Sequence, residues 1–142
     1  MLYEDDIVDA VCSHLKQMGF IIDERRTSLE CGDDIIAKHL SGIELRIEAK
    51  GETSKQPNSS RYGKPFKRSQ VLVHVGQAFY RAASMLQETS VKKGLRVGVA
   101  LPHNAHHLER VAAIDAALRK LGVIVFWVHP DRNVTMSSQF DL

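Results

Sequence analysis

The sequence predicts an α/β domain: a mixed β-sheet flanked by helices, in the order helix, three strands, helix, strand, helix, strand (αβββαβαβ). Three observations predict it. Apolar residues recur at helical spacing over residues 4–18, 69–88 and 104–121. Between and after those stretches lie five short segments of alternating or fully apolar pattern, each of strand length. The last helix separates two apolar strands, the mark of a crossover between parallel neighbours, while an early hairpin makes the sheet mixed.

The elements follow in order. Ile7, Val8, Val11, Leu15 and Met18 fall on one stripe of the first helix, and Gly19 is placed to stop it. "FIIDERRT" is a short strand running into the loop "SLECG". "DDIIAKHL" and "IELRIEAK" are two more strands joined around "SG". Residues 51–68, "GETSKQPNSSRYGKPFKR", form a polar, turn-rich loop of a length that is uncommon in a compact domain and often functional. In the second helix Val71, Val75, Ala78, Ala82 and Met85 make the buried stripe, and "KKG" at 92–94 closes it. "LRVGVAL" is a strand broken by Pro102. Asn104 is placed to cap a helix that runs through Leu121, and "VIVFWVHP" is the last strand. Helices on both faces of the sheet account for strands such as "DDIIA" and "VIVFWV", which are apolar on both sides.

Bulk properties bound the function. With 142 residues, 44% apolar and 25% charged, the chain suits one globular domain, expected over residues 1–130, with a loosely ordered tail over 131–142. The longest apolar run, "VIVFWV" at 123–128, is far short of the roughly 20 residues of a membrane helix. The acidic start "MLYEDDIVDA" does not have the layout of a signal peptide, so a cytoplasmic protein is expected, with Cys12 and Cys31 as reduced thiols. A net charge of +2 argues little, but its distribution does: residues 51–70 hold Lys55, Arg61, Lys64, Lys67 and Arg68 against Glu52 alone.

The segment "LRIEAKGETS" concentrates the chemistry. Leu45, Ile47 and Ala49 form an apolar strand face, and the other face ends in Glu48 and Lys50. Same-face neighbours on a strand are about 6.6–6.8 Å apart, so these two reach one small volume. If the hairpin turn occupies Leu40 to Gly42, with Gly42 in the left-handed last position, Asp34 lies opposite Glu48 on the same face. A two-residue turn would pair Asp34 with Ala49 instead and separate the two acids. Two converging carboxylates repel unless a cation sits between them, and a site with few oxygen ligands suits Mg²⁺. A lysine beside them can position water and offset charge building on a phosphate. The plainer reading makes Glu48 and Lys50 a solvated strand face continuing Glu44 and Arg46.

A helix, then "GDDIIA", a hairpin and "IEAK" followed by glycine resembles the PD-(D/E)XK superfamily, the restriction-endonuclease-like nucleases. By position Asp34 matches the motif aspartate, Glu48 the second acid and Lys50 the lysine, while Glu4 in "YED" matches the glutamate carried on the first helix of many members. The resemblance covers about residues 3–85; the later strand, helix and strand match the family core in order only. Asp33 stands where many members have proline, which leaves Asp33 as an alternative to Asp34. The resemblance implies a restriction-endonuclease-like core and metal-dependent hydrolysis of phosphodiester bonds, with DNA as the expected substrate. Asp34 and Glu48 would bind Mg²⁺ or a substituting Mn²⁺, Lys50 would orient the attacking water, and Glu4 and Gln77 would assist. Many nucleases of this core pair up, so a homodimer is also implied.

Around this core the residues admit two readings each. Glu4 heads the apolar stripe and so points inward, or is a first-turn carboxylate favoured by the helix dipole. Gln70, His74, Gln77 and Arg81 share one helix face, able to hold a nucleotide or an ordinary polar flank, the flank being favoured for His74 and Arg81. Lys55, Arg61, Lys64, Lys67 and Arg68 suit phosphate contacts, and Tyr62 and Phe66 interleave with them as stacking groups, or the loop is simply solvated. His103, His106 and His107 in "PHNAHH" lack metal-ligand spacing and fit a first helical turn. No zinc module or recognition helix for reading sequence is present. The alternative to a nuclease is a silent module of the same fold that binds nucleic acid or a protein.

Overall fold

The structure of the protein, a computed structural model, describes residues 1–26, 34–53, 64–90 and 92–142. Helix α1 (Glu4–Gln17) leads into strands β1 (Ile21–Arg25), β2 (Ile35–Lys38) and β3 (Glu44–Ala49). Helix α2 (Arg68–Leu86) ends in a 3₁₀ turn (Gln87–Ser90) before β4 (Leu95–Pro102). Two short helices, α3 (Ala105–Ala112) and α4 (Asp115–Leu121), precede β5 (Ile124–Val128) and β6 (Val134–Met136). The six strands lie side by side in chain order. β3, β4 and β5 are parallel, and β1–β2, β2–β3 and β5–β6 are antiparallel.

Two apolar layers hold the sheet. On one face α1 buries Ile7, Val8, Val11, Cys12 and Leu15 against Ile35, Ala37, Leu45, Ile47, Ala49, Ile124 and Phe126. On the other, Val71, Val75, Ala78, Ala82 and Met85 of α2 pack on Val97, Val99, Leu101, Val123 and Val125. Each fully buried aliphatic side chain is worth about 1.5–3 kcal/mol relative to exposure. The second layer takes its strand residues from β4 and β5 and none from β2 or β3. On that face β3 instead presents Glu44, Arg46 and Glu48, so the fold leaves a polar half-sheet beside α2. Cys12 is a free, buried thiol whose pKa burial pushes up; Cys31 lies outside the described residues.

Two expectations are corrected. The helix expected from Asn104 to Leu121 is two: Asn104 caps α3 through its side chain, which accepts from the His107 amide at 3.0 Å, but the chain leaves helical geometry at Ile114 (φ −125°, ψ 11°) and restarts at Asp115. Gly122, at φ +73°, ends the second piece. The stretch from Asp131 onward, expected to be loosely ordered, turns at Arg132 (φ +71°) and returns as β6 along the edge of β5. Beyond it Phe140 packs on Phe20, with ring centroids 5.3 Å apart. Val134, Met136 and Phe140 join the α1-side core as partly buried members, which is the burial that orders the segment.

Candidate active site

The β2–β3 hairpin sets the geometry. Gly42 takes the left-handed conformation (φ +101°), its amide donates to the His39 carbonyl at 3.0 Å, and the His39 amide donates to the Ile43 carbonyl at 2.9 Å. The three-residue turn aligns Ile35 with Ile47, Ile36 with Arg46 and Ala37 with Leu45, so Asp34, one step beyond the ladder, falls opposite Glu48. Asp34 is 5% exposed, and its Oδ2 accepts the Ala49 amide at 2.7 Å. It also accepts a hydrogen bond from the protonated carboxyl of Glu48. Asp33, the alternative aspartate, lies outside the described residues.

Glu4 reaches the same place by a different route. After β3 the chain continues with the Lys50 amide donating to the Ala100 carbonyl at 3.0 Å. Gly51 then passes under the start of α1 so closely that a Cβ there would lie 2.5 Å from the Glu4 backbone nitrogen. Only glycine permits this approach. Glu52 fastens it: its amide donates to the Leu2 carbonyl at 2.9 Å and its carboxylate accepts from the Leu2 amide at 2.6 Å and from Asn104 Nδ2 at 2.9 Å. One loop therefore locks the first turn of α1, the end of β3 and the cap of α3 together.

The electrostatics follow from this crowding. Burial raises the Glu48 pKa to about 8, helped by the hydrogen bond and charge of Asp34 and by the charge of Glu4, while Lys50 pulls the other way without cancelling the rise. Burial, then the Asp34 charge, brings Glu4 to about 7, again against the pull of Lys50. Three carboxyl groups and one lysine thus act on one another in a partly dehydrated pocket. Arg81 of α2 meets Glu48 at 3.6 Å, Nε to Oε2.

The remaining candidates divide. His74 packs edge-on against Phe66, with centroids 4.3 Å apart, and burial and the Lys50 charge both lower its pKa. Gln77 is exposed on α2. Gln70 caps its own helix, its Oε1 accepting from the Lys67 amide at 2.8 Å, and Arg68 pairs with Glu109 of α3, Nε to Oε2 at 3.1 Å. Lys64 and Lys67 are exposed, and Lys55, Arg61 and Tyr62 lie outside the described residues. The two ends of the basic loop are tied beside the site: the Phe66 amide donates to the Glu52 carbonyl at 2.8 Å, and the Thr53 hydroxyl donates to the Lys64 carbonyl.

Two features escaped the sequence reading. Glu52 and Asn104 are distant in sequence, and only the cap role of Asn104 had a local signal. His107 is 1% exposed, with Nδ1 2.8 Å from Asn104 Oδ1 and Nε2 without a hydrogen-bond partner; burial, then the charges of His74 and His106, drop its pKa to about 4. The sequence had implied only an ordinary first helical turn at "PHNAHH", and nothing in it announced that His107 is buried.

The donor set fits a hard cation. Among the described residues no three His, Cys, Asp or Glu side chains are gathered into a ready-made metal cage. Asp34 and Glu48 offer oxygen donors only, and the crowding that raises the Glu48 pKa would be relieved by a cation between them. That suits Mg²⁺, which is commonly bound by one or two carboxylates and keeps the rest of its shell for water and phosphate.

No protein-family model matches the chain, and no curated protein matches it. Among solved structures, an XisH family protein from Nostoc punctiforme PCC 73102 is similar with a TM-score of 0.59 at 10% identity, over 92% of this chain and 96% of that one. An fdxN element excision controlling factor protein from Anabaena variabilis gives 0.49 at 17% identity, over 92% and 96% of the two chains. SfsA from Pyrococcus furiosus in complex with Ca²⁺ gives 0.39 at 13% identity, over 95% and 59%. At such identities the first likeness is one of fold. The protein shares that fold: an α/β core with a six-stranded mixed sheet flanked by helices. Among the described residues no helix is long and apolar enough to cross a membrane.

Proposed function

We propose that the protein is a metal-dependent nuclease of the PD-(D/E)XK type, hydrolysing phosphodiester bonds in DNA. The observation that carries this reading is the convergence of Asp34, Glu48, Glu4 and Lys50 at the end of β3, with the carboxyl groups crowded closely enough to raise the pKa values of Glu4 and Glu48. Asp34 and Glu48 would hold Mg²⁺, with Mn²⁺ able to replace it; a cation there supplies neutralisation of the phosphate charge. Lys50 donates to the attacking water, orients it, and offsets the negative charge that builds on the phosphate. Glu4, with a pKa near 7, is poised to take up a proton at neutral pH. Gln77 assists from α2, and Lys64 and Lys67, at the return of the basic loop, hold the backbone by phosphate contacts that read no sequence.

The test is cleavage of duplex, single-stranded and branched DNA and of RNA, each in Mg²⁺, Mn²⁺ or EDTA, by wild type and Lys50→Ala. The expected result is metal-dependent cutting of DNA that disappears in a folded Lys50→Ala. Absence of cutting, or cutting that survives the substitution, overturns the nuclease and favours a silent binding module.

A further inference from the structure

We propose that the cavity between the ends of the basic loop and the start of α3 receives one base of a single-stranded or splayed nucleotide, and favours a base that carries an exocyclic amine. The proposal rests on the nuclease reading and names the form of substrate that its site admits. The cavity, about 250 Å³, is lined by Glu52 and Phe66 from the loop ends, Val71 from α2, and Asn104, Ala105 and His107 at the start of α3. That volume lies below the roughly 300–1,000 Å³ of ordinary ligand sites, so it suits one flat ring system and not a chain. Glu52 follows Lys50 by two residues, which keeps their Cα atoms within about 7 Å of each other. The Phe66 ring that walls the cavity also packs on His74, whose pKa burial and then the Lys50 charge lower. The cavity therefore adjoins the carboxylate site.

The hydrogen bonds around the cavity select the chemistry. The His107 amide donates to Asn104 Oδ1, which fixes the Asn104 side chain so that its Nδ2 donates to Glu52. Oδ1 can only accept, so its 2.8 Å contact with His107 Nδ1 puts the imidazole proton on that nitrogen. Burial keeps the ring neutral above about pH 4. His107 Nε2 is then a bare acceptor, buried and without a partner. A polar group left so costs about 1–3 kcal/mol, which a donor entering the cavity offsets once the ring shifts to meet it. Glu52 adds capacity: a carboxylate has about four lone-pair sites, and the Leu2 amide and Asn104 take two. This end of the cavity therefore calls for N–H donors, and its carboxylate repels phosphate. Phe66 and Val71 supply apolar walls for a flat ring. A base with an exocyclic amine meets both demands. Bases in an intact duplex do not reach it, since their edges are paired and their faces stacked.

The probes are single-stranded thymine octamers that carry at one central position either adenine or purine, which lacks only the amine. Affinity is measured by fluorescence anisotropy in Ca²⁺ for wild type, His107→Phe and Ala105→Leu, with thermal unfolding as a check on folding. Ala105→Leu narrows the cavity from an exposed rim position. Wild type is expected to bind the adenine octamer about three- to tenfold more tightly than the purine one, the worth of one net hydrogen bond. Each variant is expected to bind the two within about twofold of each other. Equal affinities in wild type, or a preference that survives either folded variant, overturn the base cavity and leave the nuclease standing. Should His107→Phe fail to fold, Ala105→Leu decides alone. Wild type that binds neither octamer also overturns the cavity, and the nuclease falls with it only if no DNA is cut.

Discussion

Along one face of β3, Glu44 and Arg46 carry their charge in one way and Glu48 and Lys50 in another. In the first half the signs are matched: Arg46 Nε lies 2.9 Å from Glu44, its other end pairs with Glu88, and Lys92 reaches Glu44 at 3.5 Å. In the second half Glu48 shares its site with Asp34 and Glu4, and Arg81 approaches no nearer than 3.6 Å. Each half sets an acid two residues before a base on the same face, Lys50 lying one residue past the strand end. What differs is the neighbouring strand and loop, which bring cations to Glu44 and carboxylates to Glu48. An ordinary ion-pair ladder and a candidate catalytic centre can therefore share a strand face, and the plainer sequence reading describes one half of it.

The comparison breaks most sharply in activity. Glu48→Ala should lower metal-dependent DNA cleavage by at least about 100-fold, the scale of losing one electrostatic element of a transition state, while Glu44→Ala stays within about twofold. Equal losses in a cleavage assay would erase the distinction. Next comes the backbone. Gly51→Ala forces a Cβ to within 2.5 Å of the Glu4 nitrogen and should cost about 1–3 kcal/mol in denaturant unfolding, with cleavage falling as Glu4 is displaced. An unchanged unfolding midpoint would mean that this contact relaxes freely.

A smaller effect appears in pH. The folded protein holds the Glu48 proton up to about pH 8, whereas the unfolded chain releases it near the ordinary value of 4.5. The stability this gives is full below pH 4.5 and is lost as pH rises through 8. In EDTA, Glu48→Gln should therefore melt higher than wild type at pH 9 and together with it at pH 4, and the reverse order would contradict the burial of this carboxyl. The smallest effect lies at the exposed end of the ladder: Lys92→Ala should cost about 1 kcal/mol or less, a shift of roughly 3 °C in melting temperature, with cleavage intact.

Local patterns explain why part of this was readable. The alternation of Leu45, Ile47 and Ala49 gave the strand and its faces, and a left-handed glycine at position 42 fixed the register that sets Asp34 against Glu48. What stayed hidden depends on distance along the chain. The Leu2–Glu52–Asn104 clasp joins residues about fifty apart, and no spacing rule announces it. Arg81 had the right helical spacing, but its meeting with Glu48 depends on how α2 lies over β3. Gln70 and Arg68, expected at the nucleic acid, are held by nearer partners, since a free helix end and an adjacent Glu109 satisfy them first. β6 was missed because Val134 and Met136 make too short a run to read alone; the open edge of β5 completes it.

The most direct measurement is a crystal of the wild-type protein soaked in Mn²⁺, with anomalous density collected beside a Glu48→Ala control. The expected result is a peak between the Asp34 and Glu48 carboxylates that the substitution removes. A peak at Glu44 and Glu88 instead, or none near β3, would contradict it.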